Sequence, residues 1–284
     1  MLFSIFINDI FSICESVSIY AYADDIQIYL SRHIGLVEDL CCRFNEDLQR
    51  IYTWTKKNNL QLNTGKCFVM PICKRSLDLI NVPPIMIGDS NIQFADKIVN
   101  LGYYMNSSFS CVNHINAVVG KVYYTLRNLK LSQHYVPQET KLRLVKQLIL
   151  PFVTYCSRVY CKPDSASLHK LQVALNFAAR YVYDLQRYDD VSSYCKKILG
   201  CSLQNFLNAN NLMFLHSLIY SQSPHYLFEK INFFSSNRIN MQRYRYFFVH
   251  AIREWNALPY HIREITERNA FKNPLLQHFA NKRI

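Results

Sequence analysis

Two adjacent carboxylates, Asp24 and Asp25, are the side chains of this sequence that are best suited to chemistry. Adjacent carboxylates repel each other and attract divalent cations, and Mg²⁺ favours oxygen ligands while keeping several positions for water and substrate phosphates. Two such ions, about 3.5–4 Å apart, would activate an attacking 3′-hydroxyl and stabilise the departing pyrophosphate. An isolated Asp-Asp pair is usually an ordinary surface turn, so the choice between these interpretations depends on the surrounding sequence.

The flanking residues predict a β-hairpin that carries both carboxylates at its tip. Over residues 18–31, apolar residues alternate with tyrosines before the pair and with polar or aromatic residues after it. Alternation with a period of two on both sides of a short polar turn is typical of a hairpin. Before the hairpin, residues 1–10 suit the end of a buried helix that Asn8 and Asp9 close.

After the hairpin, the apolar residues recur every three or four positions, which predicts an amphipathic helix over residues 34–58. We expect a turn at Thr64-Gly65, a strand from Cys67 to Ile72, a hairpin turn at residues 88–91 and a last strand over residues 101–105. This first region therefore combines antiparallel hairpins with helices.

Beyond residue 110 the pattern is helical almost throughout, and the change of composition there predicts a domain boundary. Residues 223–243 are rich in Ser, Asn and Arg and form the candidate linker. The domains expected are residues 1–110, 111–222 and 223–284. The candidate helices are residues 112–130, 138–161, 165–184, 205–222 and 244–256. Hairpins followed by helices predict an α+β fold class.

The balance of charges indicates a polyanionic partner. The 284 residues include 32 Lys and Arg against 20 Asp and Glu, a net charge of +12, and aromatic residues make up 14% of the chain. A basic surface attracts nucleic acid or an anionic membrane, and aromatic rings stack on bases. On charge alone, a basic protein without such a partner remains an open alternative.

Neither the ten cysteines nor the N-terminus indicates secretion. The cysteines lack the spacing of zinc sites and lie among apolar residues, as free thiols do in a reducing compartment. The apolar N-terminal run lacks the preceding basic residue of a signal peptide and is interrupted by Asn8, Asp9 and Glu15. No later stretch predicts a membrane span. We expect an intracellular protein of the nucleus or cytoplasm that does not bind membranes.

Four segments resemble motifs of reverse transcriptases, in the order in which that family has them. Residues 22–25, Tyr-Ala-Asp-Asp, resemble the YADD box, which is motif C of the polymerase palm. Residues 2–9 resemble the end of motif B, Trp54 and residues 60–66 resemble motif D, and residues 101–103 resemble the motif E region. Each signature is short, and their common order makes the resemblance strong.

The second half of the chain resembles non-LTR, LINE-type retrotransposons of the jockey-like group. Residues 151–156, 171–180 and 255–259 are similar to segments that follow the polymerase core in that group. The resemblance implies an RNA-directed DNA polymerase whose partners are an RNA template, a DNA primer and deoxynucleoside triphosphates. It also implies a partial palm over the first domain, a helical thumb-like second domain and a helical C-terminal segment. The oligomeric state stays open.

The same resemblance assigns roles to individual residues. Asp24 and Asp25 would hold Mg²⁺, or Mn²⁺ in its place, and Lys66 would lie near the leaving pyrophosphate and protonate it. The alternative for Lys66 is a solvated lysine that follows a glycine turn. Tyr22 would either touch the end of the primer or pack across the strands, and both interpretations stay open.

Basic residues of the helical region could follow a nucleic-acid backbone, as a thumb does, with salt-sensitive binding. For each of them, an ordinary solvated helix face is the alternative. The candidate contacts are Lys121, Arg127 and Lys130, followed by Lys141, Arg143 and Lys146. Eight histidines lack the carboxylate-rich or serine-rich surroundings of catalytic groups: His114, His134, His169, His216, His225, His250, His261 and His278.

One departure from the family affects the expected activity. The family's motif A supplies another metal-binding aspartate, which has no counterpart here because the chain begins inside the segment that resembles motif B. Asp24 and Asp25 alone give too few ligands to bridge two ions, so we expect this chain to be inactive by itself. Three alternatives stay open: a truncated polymerase, a non-catalytic basic module that binds RNA or an RNA–DNA hybrid, and a decayed mobile-element remnant.

Overall fold

The structure is a computed structural model of the chain. It describes residues 2–73, 82–160, 162–231 and 247–282. The chain divides into two units, Met1–Ser110 and Cys111–Ile284. The first unit combines short antiparallel strands with helices and the second is helical, which confirms the α+β fold class.

The strands of the first unit pair as three separate two-stranded antiparallel sheets, β1 with β2, β3 with β4 and β5 with β6. Short 3₁₀ turns at residues 8–12, 34–36 and 64–66 connect the elements. The elements are α1 Leu2–Phe6, β1 Ser18–Tyr22, β2 Asp25–Tyr29, α2 Val37–Lys57, β3 Ile85–Ile87, β4 Ser90–Ile92, β5 Lys97–Asn100 and β6 Tyr103–Asn106.

The amphipathic helix predicted over residues 34–58 is present as α2, Val37–Lys57. Its buried residues Cys41 and Leu48 belong to a core that also contains Ile85, Ile87 and Ile92 of the β3–β4 hairpin. Acidic residues in its first turn and lysines in its last turn complement the helix dipole. Helix α2 therefore packs against the β3–β4 hairpin, and Ile28 of the β1–β2 hairpin packs against the same core.

The β3–β4 hairpin turns at Gly88-Asp89, within the range predicted. Gly88 has a φ of +56°, and a Cβ added there would lie 2.7 Å from the ring of Tyr52 on α2. Only glycine meets both demands, a left-handed backbone and a close approach to an aromatic ring.

Three expectations for the first unit need correction. Helix α1 is exposed rather than buried, and burial begins at Ile7 and Ile10. The strand predicted from Cys67 to Ile72 is wrong, because Val69 makes a single β-bridge, to Phe94, among the residues described. The predicted last strand begins later, since Leu101 and Gly102 form the turn between β5 and β6.

The second unit contains helices of very different lengths, and a π-helical segment, Val145–Ile149, separates α4 from α5. The α-helices are α3 Val112–Lys130, α4 Gln138–Leu144, α5 Leu150–Thr154, α6 Ser165–Tyr183, α7 Ser192–Leu199, α8 Leu203–Ser221, α9 His225–Phe228, α10 Phe247–Asn256, α11 Tyr260–Arg263 and α12 Arg268–Asn281.

Four of the five predicted helices agree with α3, α6, α8 and α10 to within a few residues, and residues 244–246 of the last prediction lie outside the described residues. The helix predicted over residues 138–161 is helical from Gln138 to Thr154, with the π-helical segment inside it. It ends seven residues earlier than predicted. Helix α12 lies in the C-terminal segment expected to be helical, although no bounds were predicted for it, and Pro274 lies inside it.

Helix α8 packs against α10 and α12 around a core that contains Leu212, Leu215, Trp255, Phe271 and Leu275. The helices on both sides of residues 232–246 therefore share one core. None of the described helices is long and apolar enough to cross a membrane. The nine cysteines described are all free thiols.

Candidate functional site

The predicted hairpin is present, and its turn lies one residue earlier than expected. Strand β1 pairs with β2 from Ser18–Tyr29 to the last pair, Tyr22–Asp25. The two-residue turn is therefore Ala23-Asp24, with Ala23 in the left-handed region at a φ of +53°. Asp24 lies in the turn, whereas Asp25 is the first residue of β2, so a single carboxylate rather than both occupies the turn itself.

The two faces of this hairpin differ in chemistry. Cross-strand partners lie on the same face, which places Asp25 beside Tyr22 and on the face of Tyr20 and Tyr29. The rings of Tyr20 and Tyr29 stack with centroids 5.6 Å apart and planes 12° apart. The opposite face is apolar, and its Ile28 packs against the core of the first unit. Packing of the apolar face leaves the tyrosines and Asp25 exposed.

A buried carboxylate of α2 holds the chain that enters the hairpin. The side chain of Asp47 accepts hydrogen bonds from the backbone N–H groups of Glu15 at 3.1 Å, Ser16 at 2.7 Å and Val17 at 2.9 Å. Arg50 donates to the same carboxylate at 2.8 Å. Burial raises the pKa of Asp47, but these donors outweigh it, so the pKa lies below its ordinary value. Since Val17 directly precedes β1, this contact fixes the start of the hairpin.

The role of Asp47 was not predicted from the sequence. The feature that could have indicated it is a carboxylate on the buried face of an amphipathic helix, between Phe44 and Ile51. A charge in such a position is almost never fully buried unless it has partners. The partners here are backbone groups of a loop, which have no signature in the sequence.

Two further side-chain contacts connect separate segments of the first unit. Gln27 of β2 donates through Nε2 to Oδ1 of Asn100, at 2.7 Å, and so joins the hairpin to the end of β5. Trp54 of α2 donates through Nε1 to Oδ2 of Asp9, at 3.1 Å. The segments that resemble motifs B and D therefore meet through this side-chain contact.

The hairpin carboxylates fit a divalent cation in donor type but not in number. Asp24 and Asp25 are both exposed, and neither side chain makes a hydrogen bond or an ion pair within the described residues. Their oxygens are therefore available as hard ligands. In the same part of the chain, no group of three His, Cys, Asp or Glu side chains lies close enough to hold a metal ion.

Lys66 is exposed at the end of the 3₁₀ turn Thr64–Lys66. The segment after it is held by Val69, whose N–H donates to Gln93 at 3.1 Å and whose carbonyl accepts from Ala95 at 2.8 Å. Among the described residues, no hydrogen bond or ion pair joins Lys66 to the hairpin carboxylates.

The three basic candidates of α3 do not form one row. Lys121 and Arg127 are exposed, whereas Lys130 is half-buried, with Nζ 4.1 Å from the ring centroid of Phe177. At about 100° per residue, Lys121 lies on one flank of the exposed surface, and Arg127 and Lys130 lie on the other. The buried face between these flanks contains Val118, Val122 and Leu126, among others.

Lys141 is not the solvated helix-face charge that was expected. It is 3% exposed, and its Nζ lies 2.7 and 2.8 Å from the carboxylate oxygens of Asp184 at the end of α6. The ring of Tyr181 lies 5.8 Å away. Because a buried ammonium needs a partner, Lys141 holds two helices together and is not available to a nucleic acid.

Comparison with known proteins bears on the first unit. Residues 1–105 match the family model described as reverse transcriptase (RNA-dependent DNA polymerase). No curated protein and no solved structure matches the chain. The match includes the Asp24-Asp25 hairpin, α2 and Lys66. It supports a reverse transcriptase domain in this part of the chain.

Proposed function

We propose that this chain is part of the RNA-directed DNA polymerase of a non-LTR retrotransposon, in which the β1–β2 hairpin contributes Asp24 and Asp25 to a site for two Mg²⁺ ions. The family match over residues 1–105 supports the polymerase. The non-LTR assignment rests on the resemblance of residues 151–156, 171–180 and 255–259 to segments of that group.

The observation that carries the proposal is the geometry of the hairpin. The Tyr22–Asp25 pair closes the ladder, so Asp25 has a defined backbone position, and Asp24 follows the left-handed Ala23 in a two-residue turn. Asp47 fixes the chain where it enters β1. Rigid presentation of two solvent-exposed carboxylates is what a site shared with substrate phosphates requires.

When bound, Mg²⁺ or Mn²⁺ would supply charge that activates a primer 3′-hydroxyl and stabilises pyrophosphate. The residues of this chain then have separate tasks. Asp24 and Asp25 hold the cations, and Tyr22, which is 68% exposed and lies across from Asp25, contacts the end of the primer. Lys66 provides a positive charge, and a proton, to the pyrophosphate as it leaves.

Two carboxylates are too few ligands for two ions, and the described residues offer no third ligand beside them. A further carboxylate must therefore complete the site from elsewhere. We expect the 284-residue chain alone not to extend a DNA primer on an RNA template with Mg²⁺. We expect extension once the fingers and the motif A region of a relative are supplied.

The test is primer extension by such a completed enzyme and by two variants of it. Asp24→Asn is expected to abolish extension because a cation ligand is lost. Asp89→Asn is the matched control, since Asp89 is also an exposed second residue of a two-residue hairpin turn. Normal extension by the completed Asp24→Asn enzyme would contradict the proposal. Extension by the 284-residue chain alone, abolished by Asp24→Asn, would contradict the expectation that this chain is inactive by itself.

A non-catalytic nucleic-acid-binding module is the second candidate function. The net charge of +12 and the absence of a complete ligand set in the described residues favour it. Salt-sensitive binding of RNA by the chain, together with no extension by the completed enzyme, would favour this module over the polymerase.

A further inference from the structure

We propose that a pocket between α6, α7 and the start of α8 binds the base of a pyrimidine nucleotide. The pocket lies in the second unit, outside residues 1–105, which match the reverse transcriptase family. Its geometry comes from side chains of the helical unit alone. The inference rests on the proposed function only for the choice of a nucleobase among ligands that combine one ring with an amide.

The pocket has the size of one ring. Its volume is about 200 Å³. An apolar cavity of about 150 Å³ holds benzene, so this pocket accommodates a single ring with its substituents, whereas the two rings of a purine need more room. The buried side chains of Leu199 and Leu203 line it. Apolar walls with a few polar groups that fix the orientation are typical of a site for a small molecule.

Three polar side chains that line the pocket form a hydrogen-bond network of defined direction. Gln172 donates through Nε2 to Oδ1 of Asn176 at 2.9 Å, and the thiol of Cys195 donates to the same oxygen at 3.2 Å. Burial raises the pKa of Cys195 to about 11, so the thiol keeps its proton and remains a donor. Two donors on one oxygen determine which way the amide of Asn176 is turned.

The network leaves one donor and one acceptor for a ligand. Within the described residues, Nδ2 of Asn176 makes no hydrogen bond, and the carbonyl oxygen of Gln172 keeps acceptor capacity. Both residues are half-buried, so a ligand in the pocket can reach them. Pyrimidine bases carry the complementary edge, because thymine has N3–H beside the acceptor O4 and cytosine has N3 beside its amino group. A pyrimidine therefore satisfies both amides at once.

A cation at the mouth of the pocket favours a nucleotide over a free base. Lys196 lines the pocket, is exposed and forms no ion pair among the described residues. A lysine ammonium binds phosphate as a point charge. The charges of Arg180 and Asp190 act on the thiol of Cys195 in opposite directions, that of Arg180 more strongly. The surroundings of the pocket are therefore positive on balance.

The test measures binding of thymidine monophosphate to the full chain by isothermal titration calorimetry, with a Kd expected on the order of 0.1 mM. A base within a strand offers the same chemistry, so a second arm uses oligo-dT of about 12 nucleotides, a length within the usual site sizes. Ser192→Phe fills the pocket from an exposed lining residue. Ser193→Phe is the matched control, because Ser193 is the next exposed serine of α7 and does not line the pocket.

We expect Ser192→Phe to abolish binding and Ser193→Phe to leave it unchanged. Asn176→Asp keeps the oxygen that accepts from Gln172 and Cys195 but replaces the free donor with an acceptor. It should weaken binding about ten-fold, since a hydrogen bond to the base is lost. Thermal unfolding of each variant, followed by circular dichroism, shows whether the fold is kept, and Asn176→Asp decides the result if Ser192→Phe unfolds.

Lys196→Gln should weaken binding of thymidine monophosphate several-fold and leave binding of thymidine, which has no phosphate, unchanged. A loss caused by Ser192→Phe with the nucleotide identifies a free nucleotide as the ligand, and a loss with oligo-dT alone identifies a base within a strand. Three results would overturn the pocket: no binding in either arm, equal effects of the two serine substitutions, or tighter binding of adenosine monophosphate or nicotinamide.

A failure of the pocket and a failure of the proposed function give different results. The pocket is tested by nucleotide binding to the 284-residue chain, in which Asp24→Asn should change nothing. The proposed function is tested by primer extension in the completed enzyme.

Discussion

The buried carboxylate of Asp47 shows how one residue of α2 positions a hairpin that is distant in sequence. It is 1% exposed and satisfies three successive backbone N–H groups before β1. Burying a carboxylate is unfavourable unless donors surround it. The donors here belong to a loop, so the same contact stabilises the loop and directs the strand that follows.

Replacing Asp47 should therefore destabilise the first unit. Asp47→Ala leaves three part-buried N–H donors without their acceptor, and we expect a loss of about 1–3 kcal/mol in the free energy of unfolding, measured with urea. Asp39→Ala is the control on the same helix. Its pair with Arg43 is exposed to solvent and should contribute little to stability. An equal effect of the two substitutions would contradict the anchoring role.

The stabilisation that Asp47 provides should depend on pH, and the direction of its pKa shift fixes the sign. The pKa of Asp47 in the folded chain lies below its ordinary value of 3.8. The stabilisation is therefore fully present above that ordinary value and is lost as the pH falls through the folded pKa. The difference in unfolding free energy between the wild type and Asp47→Ala should be constant from pH 7 to about 5. It should shrink at lower pH, and a constant difference down to pH 2 would argue against a charged Asp47.

At the scale of elements, the turn between β3 and β4 depends on a contact with α2. Gly88 has a positive φ, and its missing Cβ leaves room for the ring of Tyr52. Because this hairpin supplies Ile85, Ile87 and Ile92 to the core beneath α2, a displaced turn disturbs the packing of both elements.

We expect Gly88→Ala to destabilise the first unit by about 1–3 kcal/mol, since it combines an unfavourable backbone conformation with overpacking. Gly120→Ala is a control of opposite sign. Gly120 lies within α3, where nothing is within 4 Å of an added Cβ, so alanine should stabilise by about 0.5–1 kcal/mol. Urea unfolding of both variants checks the prediction, and a stable Gly88→Ala protein would contradict the geometry of the turn.

At the scale of the whole molecule, a site for two Mg²⁺ ions needs more carboxylates than the described residues bring together. The role of Lys66 must therefore be measured in an enzyme completed with the polymerase segments of a relative. We expect Lys66→Ala to slow the chemical step by about 10²–10⁴-fold with less effect on nucleotide binding, because its charge matters as pyrophosphate leaves. Single-turnover kinetics measure both quantities. Lys57→Ala removes an exposed lysine at the end of α2 and should have no such effect. A normal rate for Lys66→Ala would contradict the role of Lys66 at the leaving pyrophosphate but would leave the assignment of the polymerase palm unchanged.

Local periodicity by itself determined most elements and their order. The alternation around Asp24-Asp25, the stripe of α2 and the patterns of α3, α6 and α8 are each consequences of side-chain spacing along one segment. The order of the short motifs likewise predicted the family that matches residues 1–105.

Only the tertiary structure decided which charges are available. Lys141 and Lys121 look alike in the sequence, yet Lys141 is buried against Asp184 and Lys121 is exposed. Asp47 looks like an ordinary helix acid, yet it holds the entrance to β1. Local pattern determines the conformation of a segment, but the partner of a charge depends on which segments pack together, and that information is not local.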